Sequence, residues 1–226
     1  DCQERASVDP GGDAENPLLV CSDVHVVDRD LKLLSQSFIR SSALRTEGFS
    51  LSRTLTQNPA LGCTILINKS LLEIVRQKPA DMDRVIMHDW WLSIAACAFG
   101  SIVYLDEPLM WYRQHGGNDV GAKTYSVRYL LRIAAEGRRR TYAILDQAVH
   151  FREVFAFSLP PNSRAVLDGM IGSFTSGRFS QLKTLVRGGY LKKGALRAFG
   201  QVVFALAAPR IAAAHQETPV AKRARG

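Results

Sequence analysis

Residues 87–108 read MHDWWLSIAACAFGSIVYLDEP. Between Trp90 and Phe99 the only polar side chain is Ser93. A helix of that composition has no face to leave in water, so the fold must cover it on every side. It is not a membrane span, because no run in the chain reaches the eighteen or more apolar residues a bilayer requires. Yet Asp89 stands at its entrance. A carboxylate there can satisfy the free N–H groups of the first turn and complement the helix dipole. From the helix alone, that structural role is the stronger reading.

The flanking sequence supplies the cover. PLLVCSDVHVVD gives an apolar, strand-like run from Leu18 to Cys21. Polar Ser22 and Asp23 follow, then an alternating piece from Val24 to Val27. LGCTILIN, residues 61–68, is β-branched and apolar and reads as a strand entered through Gly62. KSLLEIVRQ continues as a short helix with Leu71, Leu72 and Val75 on one face. The apolar helix spans 89–99, with Gly100 as its C-terminal cap. SIVYL is a strand, Pro108 breaks the chain, and LMWYRQ is compatible with another strand. The order strand, loop, strand, helix, helix, strand is an α/β layout, in which sites gather at loops beyond strand ends. No internal repeat is present.

Beyond residue 122 the character changes. Residues 1–122 carry 11 Lys and Arg against 16 Asp and Glu, whereas residues 123–226 carry 18 against 5. An acidic block followed by a basic one suggests two jobs, the second facing something anionic. Val127, Leu130, Leu131 and Ala134 recur at helical spacing, with Arg138, Arg139 and Arg140 behind them. LPPNS at 159–163 interrupts, and Ser163 is a candidate cap for the next helix. From Gln181 to Ala208, apolar residues interleave with Lys183, Arg187, Lys192, Lys193 and Arg197. The parsing is a linker over 1–16, an α/β part over 17–122, basic amphipathic helices over 123–214 and a disordered tail over 215–226. Cys2, Cys21, Cys63 and Cys97 share no metal-finger or CxxC spacing and read as buried or incidental thiols in a reducing compartment.

Asp89 gains interest from two neighbours. RQHGGN, Arg113 to Asn118, packs a cation, an imidazole and an amide into a glycine-bearing loop after a strand. LGCT puts a glycine where backbone can approach a ligand. Together they form a candidate polar site. Three segments in order, LLVCSDVHVVDRDLKLL, QNPALGCTILINKSLLE and HDWWLSIAACAFGSIVYLDEPLMWYRQHGGN, resemble the second half of family 2 glycosyltransferases. The similarity is strongest to rhamnosyltransferase-like bacterial members that build surface polysaccharide. It covers roughly residues 17 to 122.

The resemblance implies the C-terminal portion of a glycosyltransferase A-type, Rossmann-like sheet followed by basic amphipathic helices. It implies Asp89 as the base that takes a proton from the acceptor hydroxyl. Gly62, Cys63 and Thr64 match the glycine loop beside acceptor and donor sugar. His88, Trp90, Arg113, Gln114 and Asn118 fall around the donor and acceptor. His115 matches a histidine that holds a divalent metal, Mg or Mn, or the donor diphosphate. The substrates implied are a nucleotide-sugar, rhamnose among the possibilities, and a glycan or lipid-linked acceptor. The location implied is cytoplasmic, at the anionic inner face of the cell membrane. The family's nucleotide-binding strands and aspartate-rich metal motif belong before PLLVCSD. Only seventeen residues precede Leu18 and none forms such a motif. The expectation is therefore part of a larger glycosyltransferase, inactive by itself.

Other residues have plainer readings. Asp23 and His25 match a later family segment and are mainly structural. Trp90, Trp91 and Trp111 have faces suited to sugar stacking, but Trp91 is favoured as core. Asp106 and Glu107, adjacent on a strand, point to opposite faces, and a turn or an ion pair suits them better than a paired-carboxylate site. His25, His150 and His215 suggest no partner. Two rival functions rest on the basic half: a nucleic-acid module, for which no motif is present, and a peripheral membrane protein, which is compatible with the transferase.

Overall fold

The computed structural model describes residues 16–42, 44, 49–58, 60–114, 127–175, 178–191, 198 and 201–202. Its spine is the first strand, β1, Leu18–Val27. On one side β1 pairs in parallel with the last strand, β4, Ser101–Arg113, from Leu18↔Ser101 to Val27↔Arg113. Its other side is shared by two short antiparallel partners. β2, Leu33–Ser35, meets Val26 and Val27, and β3, Leu66–Ile67, meets Leu19 and Val20. The result is a mixed four-stranded sheet in an α/β protein. The helices are α1 Phe38–Ser41, α2 Leu51–Thr54, α3 Lys69–Gln77, α4 His88–Phe99, α5 Val127–Val154, α6 Pro161–Thr175 and α7 Arg178–Arg187.

The apolar stretch forms α4, and its demand for cover is met. Trp90, Trp91, Ser93, Ile94, Ala95, Ala96 and Ala98 are all buried. Leu19, Cys21 and Ile102 cover α4 from the sheet, Leu51 and Leu55 from the α2 region, and Leu71 from α3. Ile144, Ala148, Phe151 and Phe155 cover it from α5. The change of composition at residue 122 is thus no gap in packing, because both halves share one core. Trp91 is the hub, its ring 5.0 Å from Phe151 and 5.3 Å from His150. That core role agrees with the sequence reading of Trp91.

Several expectations need correction. Residues 61–68 are not one strand. Gly62–Thr64 forms a 3-10 turn, closed by the Thr64 N–H and hydroxyl, which both donate to the Leu61 carbonyl at 2.8 and 2.9 Å. A threonine that satisfies its own loop competes with the sheet ladder, so only Leu66 and Ile67 pair. Pro108 does not break β4. β1 and β4 slip register between Ser22 and Val24, with Asp23 opposite Pro108, and the strand continues past the irregularity. β4 pairs only with β1 among the described strands, and a proline is tolerated in an edge strand at such a bulge. Ser163 is not a cap. Pro161 opens α6, where a missing N–H costs nothing, and the Ser163 hydroxyl donates to the Ala98 carbonyl at 2.6 Å.

The register slip has a polar tenant. Asp23 is 2% exposed, and its carboxylate accepts from the Val24 N–H at 2.8 Å, the Ile39 N–H at 3.2 Å and the Ser37 hydroxyl. It therefore ties β1 to the start of α1, a structural role as expected. Asp106 forms an exposed ion pair with Arg40 at 3.4 Å, which also agrees with the sequence reading. Residues 1–15, the 215–226 tail and most of 192–214 lie outside the described residues.

Gly100 ends α4, its N–H donating to the Ala96 carbonyl, and the next residue enters β4 with the Ser101 N–H on the Pro17 carbonyl at 3.0 Å. A β-carbon on Gly100 would sit 1.8 Å from that same Pro17 oxygen. Backbone cannot yield as a flexible side chain does, so Gly100→Ala is expected to lower stability by about 3 kcal/mol. Urea unfolding measures it. An unchanged midpoint would mean that β1 does not start against Gly100.

Candidate functional site

The free N–H groups at the start of α4 need acceptors. Met87 at the N-cap has no side chain that can serve. Asp89, in the first turn, fills the gap in part: its Oδ1 accepts from the Trp90 N–H at 2.7 Å. The structural role assigned to this carboxylate is therefore present. It occupies one oxygen. The other, Oδ2, faces the Gly62 turn, lying 3.2 Å from where a β-carbon on Gly62 would stand. The Asp89 Cβ and the His88 Nε2 each lie 3.3 Å from the same point. Gly62, His88 and Asp89 thus converge, and the absent side chain at 62 makes the approach possible.

Asp89 is half-buried and His88 is exposed, so the second carboxylate oxygen lies at the rim of the core. Ser93, one turn along, donates to the Asp89 carbonyl at 2.8 Å. Rigid packing behind the carboxylate comes from Trp90 and Trp91. Cys63 is exposed in the adjoining turn. Desolvation and the nearby Asp89 charge push its thiol above the usual range, against the opposing pull of a backbone hydrogen bond. A thiol so placed stays protonated at neutral pH and makes a poor nucleophile. Thr64 spends its hydroxyl on the Leu61 carbonyl.

Trp90 departs from its assignment as a donor- or acceptor-binding residue. It is 1% exposed, and its indole N–H donates to the Thr54 carbonyl. Its helical position turns it into the core, so it holds Asp89 in place and offers no face to a sugar. Trp111 is the tryptophan with an open face, 61% exposed on β4.

Arg113 and Gln114 lie at the far end of β4. Arg113 is opposite Val27, and the Gln114 N–H donates to the Val27 carbonyl at 2.7 Å. Leu61, beside the Gly62 turn, packs against the cluster to which Val24 and Val26 of β1 belong. Val27 is three residues beyond Val24, roughly 10 Å along the strand. Both groups therefore lie toward the second half of β1. His115 and Asn118 lie outside the described residues. Among the described residues, no three His, Cys, Asp or Glu side chains are placed to hold a metal ion, so the expected divalent metal has no ligand set there.

Sequence reasoning missed the support behind the site. Arg84, in the segment leading to α4, donates to Asp146 at 2.8 Å and to Glu153 at 2.7 Å. The Ile86 N–H donates to Gln147, and the Asp81 N–H to His150. The acceptors lie 61 to 69 residues away in sequence, and no local pattern connects them. His150, which suggested no partner, thus has several.

Because a β-carbon at position 62 would crowd both His88 and Asp89, Gly62→Ala tests the convergence. His88 is exposed and can move aside, while Asp89 is held by the Trp90 N–H. Stability should fall by only about 1 kcal/mol, but the Asp89 carboxyl carbon should shift in the NMR spectrum. An unchanged carboxyl signal would separate Gly62 from Asp89. No protein-family model matches this chain, and neither does any curated protein or solved structure.

Proposed function

We propose that the chain is the acceptor-side part of an inverting glycosyltransferase with a glycosyltransferase A-type sheet. The observation that carries this reading is Asp89. One carboxylate oxygen is anchored in the first turn of a rigidly packed helix, and the other faces a glycine turn that an exposed imidazole also approaches. A general base needs that combination of fixed geometry and access. The ordered likeness of three segments to family 2 enzymes supports the same assignment.

In this reading Asp89 takes the proton of an acceptor hydroxyl. The acceptor oxygen attacks the anomeric carbon of a nucleotide-sugar, the bond to the diphosphate breaks on the opposite face, and configuration inverts. Gly62 lets backbone lie close to the sugar, and His88 offers a hydrogen bond at the rim. Arg113, with His115, Gln114 and Asn118, belongs on the diphosphate side, where positive charge favours the leaving group. A divalent metal would add to that charge. The described residues supply no set of ligands for it.

The acceptor class is a glycan or a lipid-linked saccharide, and the donor a nucleotide-activated sugar such as rhamnose. No described helix is long and apolar enough to cross a membrane. The basic half suits a peripheral place on anionic lipid at the cytoplasmic face, since Arg139 and Arg140 are exposed on α5. Nucleic acid is the less favoured anionic partner, for want of a recognition motif.

Asp89→Asn in the full natural protein is the decisive variant. Asparagine keeps an oxygen for the Trp90 N–H and loses the base. Transfer from a panel of nucleotide-sugars should drop by about a hundredfold to ten-thousandfold, with melting temperature and nucleotide binding retained. Turnover near the wild-type rate would remove Asp89 from the chemistry.

A further inference from the structure

Residues 78–87 join α3 to α4 and deliver His88 and Asp89. Their position is set from α5, by Asp146, Gln147, His150 and Glu153, which line one helical face. The Arg84 guanidinium spans Asp146 and Glu153, and its Nε adds a contact to Asp146 at 3.2 Å. The Ile86 N–H donates to Gln147 Oε1 at 2.8 Å, and Gln147 is fully buried. The Asp81 N–H donates to His150 Nε2 at 2.9 Å. Asp81 in turn caps the short 3-10 turn Met82–Arg84, its carboxylate accepting from the Asp83 N–H.

His150 differs from the other members of this clamp because its acceptor can be lost. The ring is buried against Trp91 of α4. Each ring nitrogen faces an N–H donor: the Asp81 amide at Nε2, and Arg84 Nη1 at 3.3 Å from Nδ1. A neutral imidazole has one acceptor nitrogen, and a protonated one has none. The charged groups around it are Asp81 and Arg84 from the segment and Asp146 and Glu153 from α5, with Glu153 3.9 Å from Nδ1. Trp91 is its ring neighbour on α4.

We propose that α5 positions the candidate base through this clamp, and that His150 is its pH-sensitive catch. Protonation of His150 takes away the acceptor of the Asp81 amide and loosens residues 81–87, which carry His88 and Asp89. The link to catalysis rests on the transferase reading, whereas the catch does not. Burial, and then the Arg84 charge, hold the imidazole below its ordinary value of 6.5. The native state therefore takes up this proton less readily than the unfolded chain. The stabilisation is complete above about pH 6.5 and is lost as pH falls from there through the lower native value.

Amide hydrogen exchange on the full natural protein and on His150→Gln, at about pH 7.5 and about pH 5, tests this. Rates are corrected for intrinsic exchange. Glutamine can accept from the Asp81 amide at either pH. In the wild type, protection at Asp81 and Ile86 should fall by about tenfold on acidification, the size of one net hydrogen bond. In His150→Gln it should stay constant, and α6 should stay protected in both. Constant wild-type protection, an equal fall in the variant, or a fall spread equally to α6 would each overturn the catch. Nitrogen NMR of the His150 ring gives a check without any variant. The neutral ring should carry its proton on Nδ1, and an Nε2–H tautomer would overturn the proposal. If transfer activity is present, kcat should decline with acid in the wild type but not in His150→Gln, with KM kept. An exchange response in a protein without transfer activity would sink the transferase reading alone. Transfer without the exchange response would sink the catch alone.

Discussion

The fold depends on the need to bury a helix that has no polar side. α4 can be placed only where a sheet and other helices enclose it. The side chains that do so come from β1, β4, the α2 region, α3 and α5. Each large apolar side chain removed from water contributes about 1.5–3 kcal/mol. Trp90, Trp91 and Ile94 alone therefore make α4 a major source of stability, before the entropy of ordering the chain is set against it. The same enclosure fixes Asp89. Its backbone belongs to a helix that cannot rotate or shift without exposing tryptophan, so the carboxylate is held at the rim by hydrophobic packing behind it.

β1 is the second constraint. It pairs with all three other described strands, and its register slip at Ser22–Val24 decides what each half of the strand faces. Leu19 and Cys21 face the α4 core, while Val24 and Val26 join a second cluster with Phe38 and Ile39. Asp23 lies at the change of register with both carboxylate oxygens hydrogen-bonded, as a buried polar group requires. The Gly62 turn is seated beside this second cluster through Leu61. The slip therefore helps to place the glycine that meets Asp89.

Charge joins the two halves as well as apolar packing. The basic half holds only five acidic residues, and among the described side chains Asp146, Glu153 and Asp168 are committed to ion pairs. Asp146 and Glu153 grip Arg84 of the acidic half, and Asp168 grips Arg152 at 2.8 Å. Exposed pairs of this kind contribute little singly, but the Arg84 pairs are partly buried and share one guanidinium, a geometry that fixes position better than isolated contacts do. The contrast between an acidic and a basic half thus has an internal consequence besides any anionic partner. Scarce carboxylates on α5 capture an arginine just ahead of the site.

The sequence by itself determined whatever depends on local pattern. The unbroken apolar run specified α4 and its burial, with Gly100 at its end. The apolar and alternating residues 18–27 specified β1, and the amphipathic spacing specified α3 and the start of α5. Of the candidate site, the carboxylate at the helix entrance and the glycine before Cys63 were legible, because residue type and spacing suffice to mark them. Tertiary structure alone decided the rest. It turned Trp90 inward, kept β4 running past Pro108 alongside β1, and made residues 62–64 a turn instead of a strand. It also brought Gly62 against Asp89 and Arg84 against Asp146, Glu153 and His150. Those contacts join positions up to 69 residues apart. Periodicity reports only which face of an element is apolar, and which distant element covers that face is settled when the whole core closes.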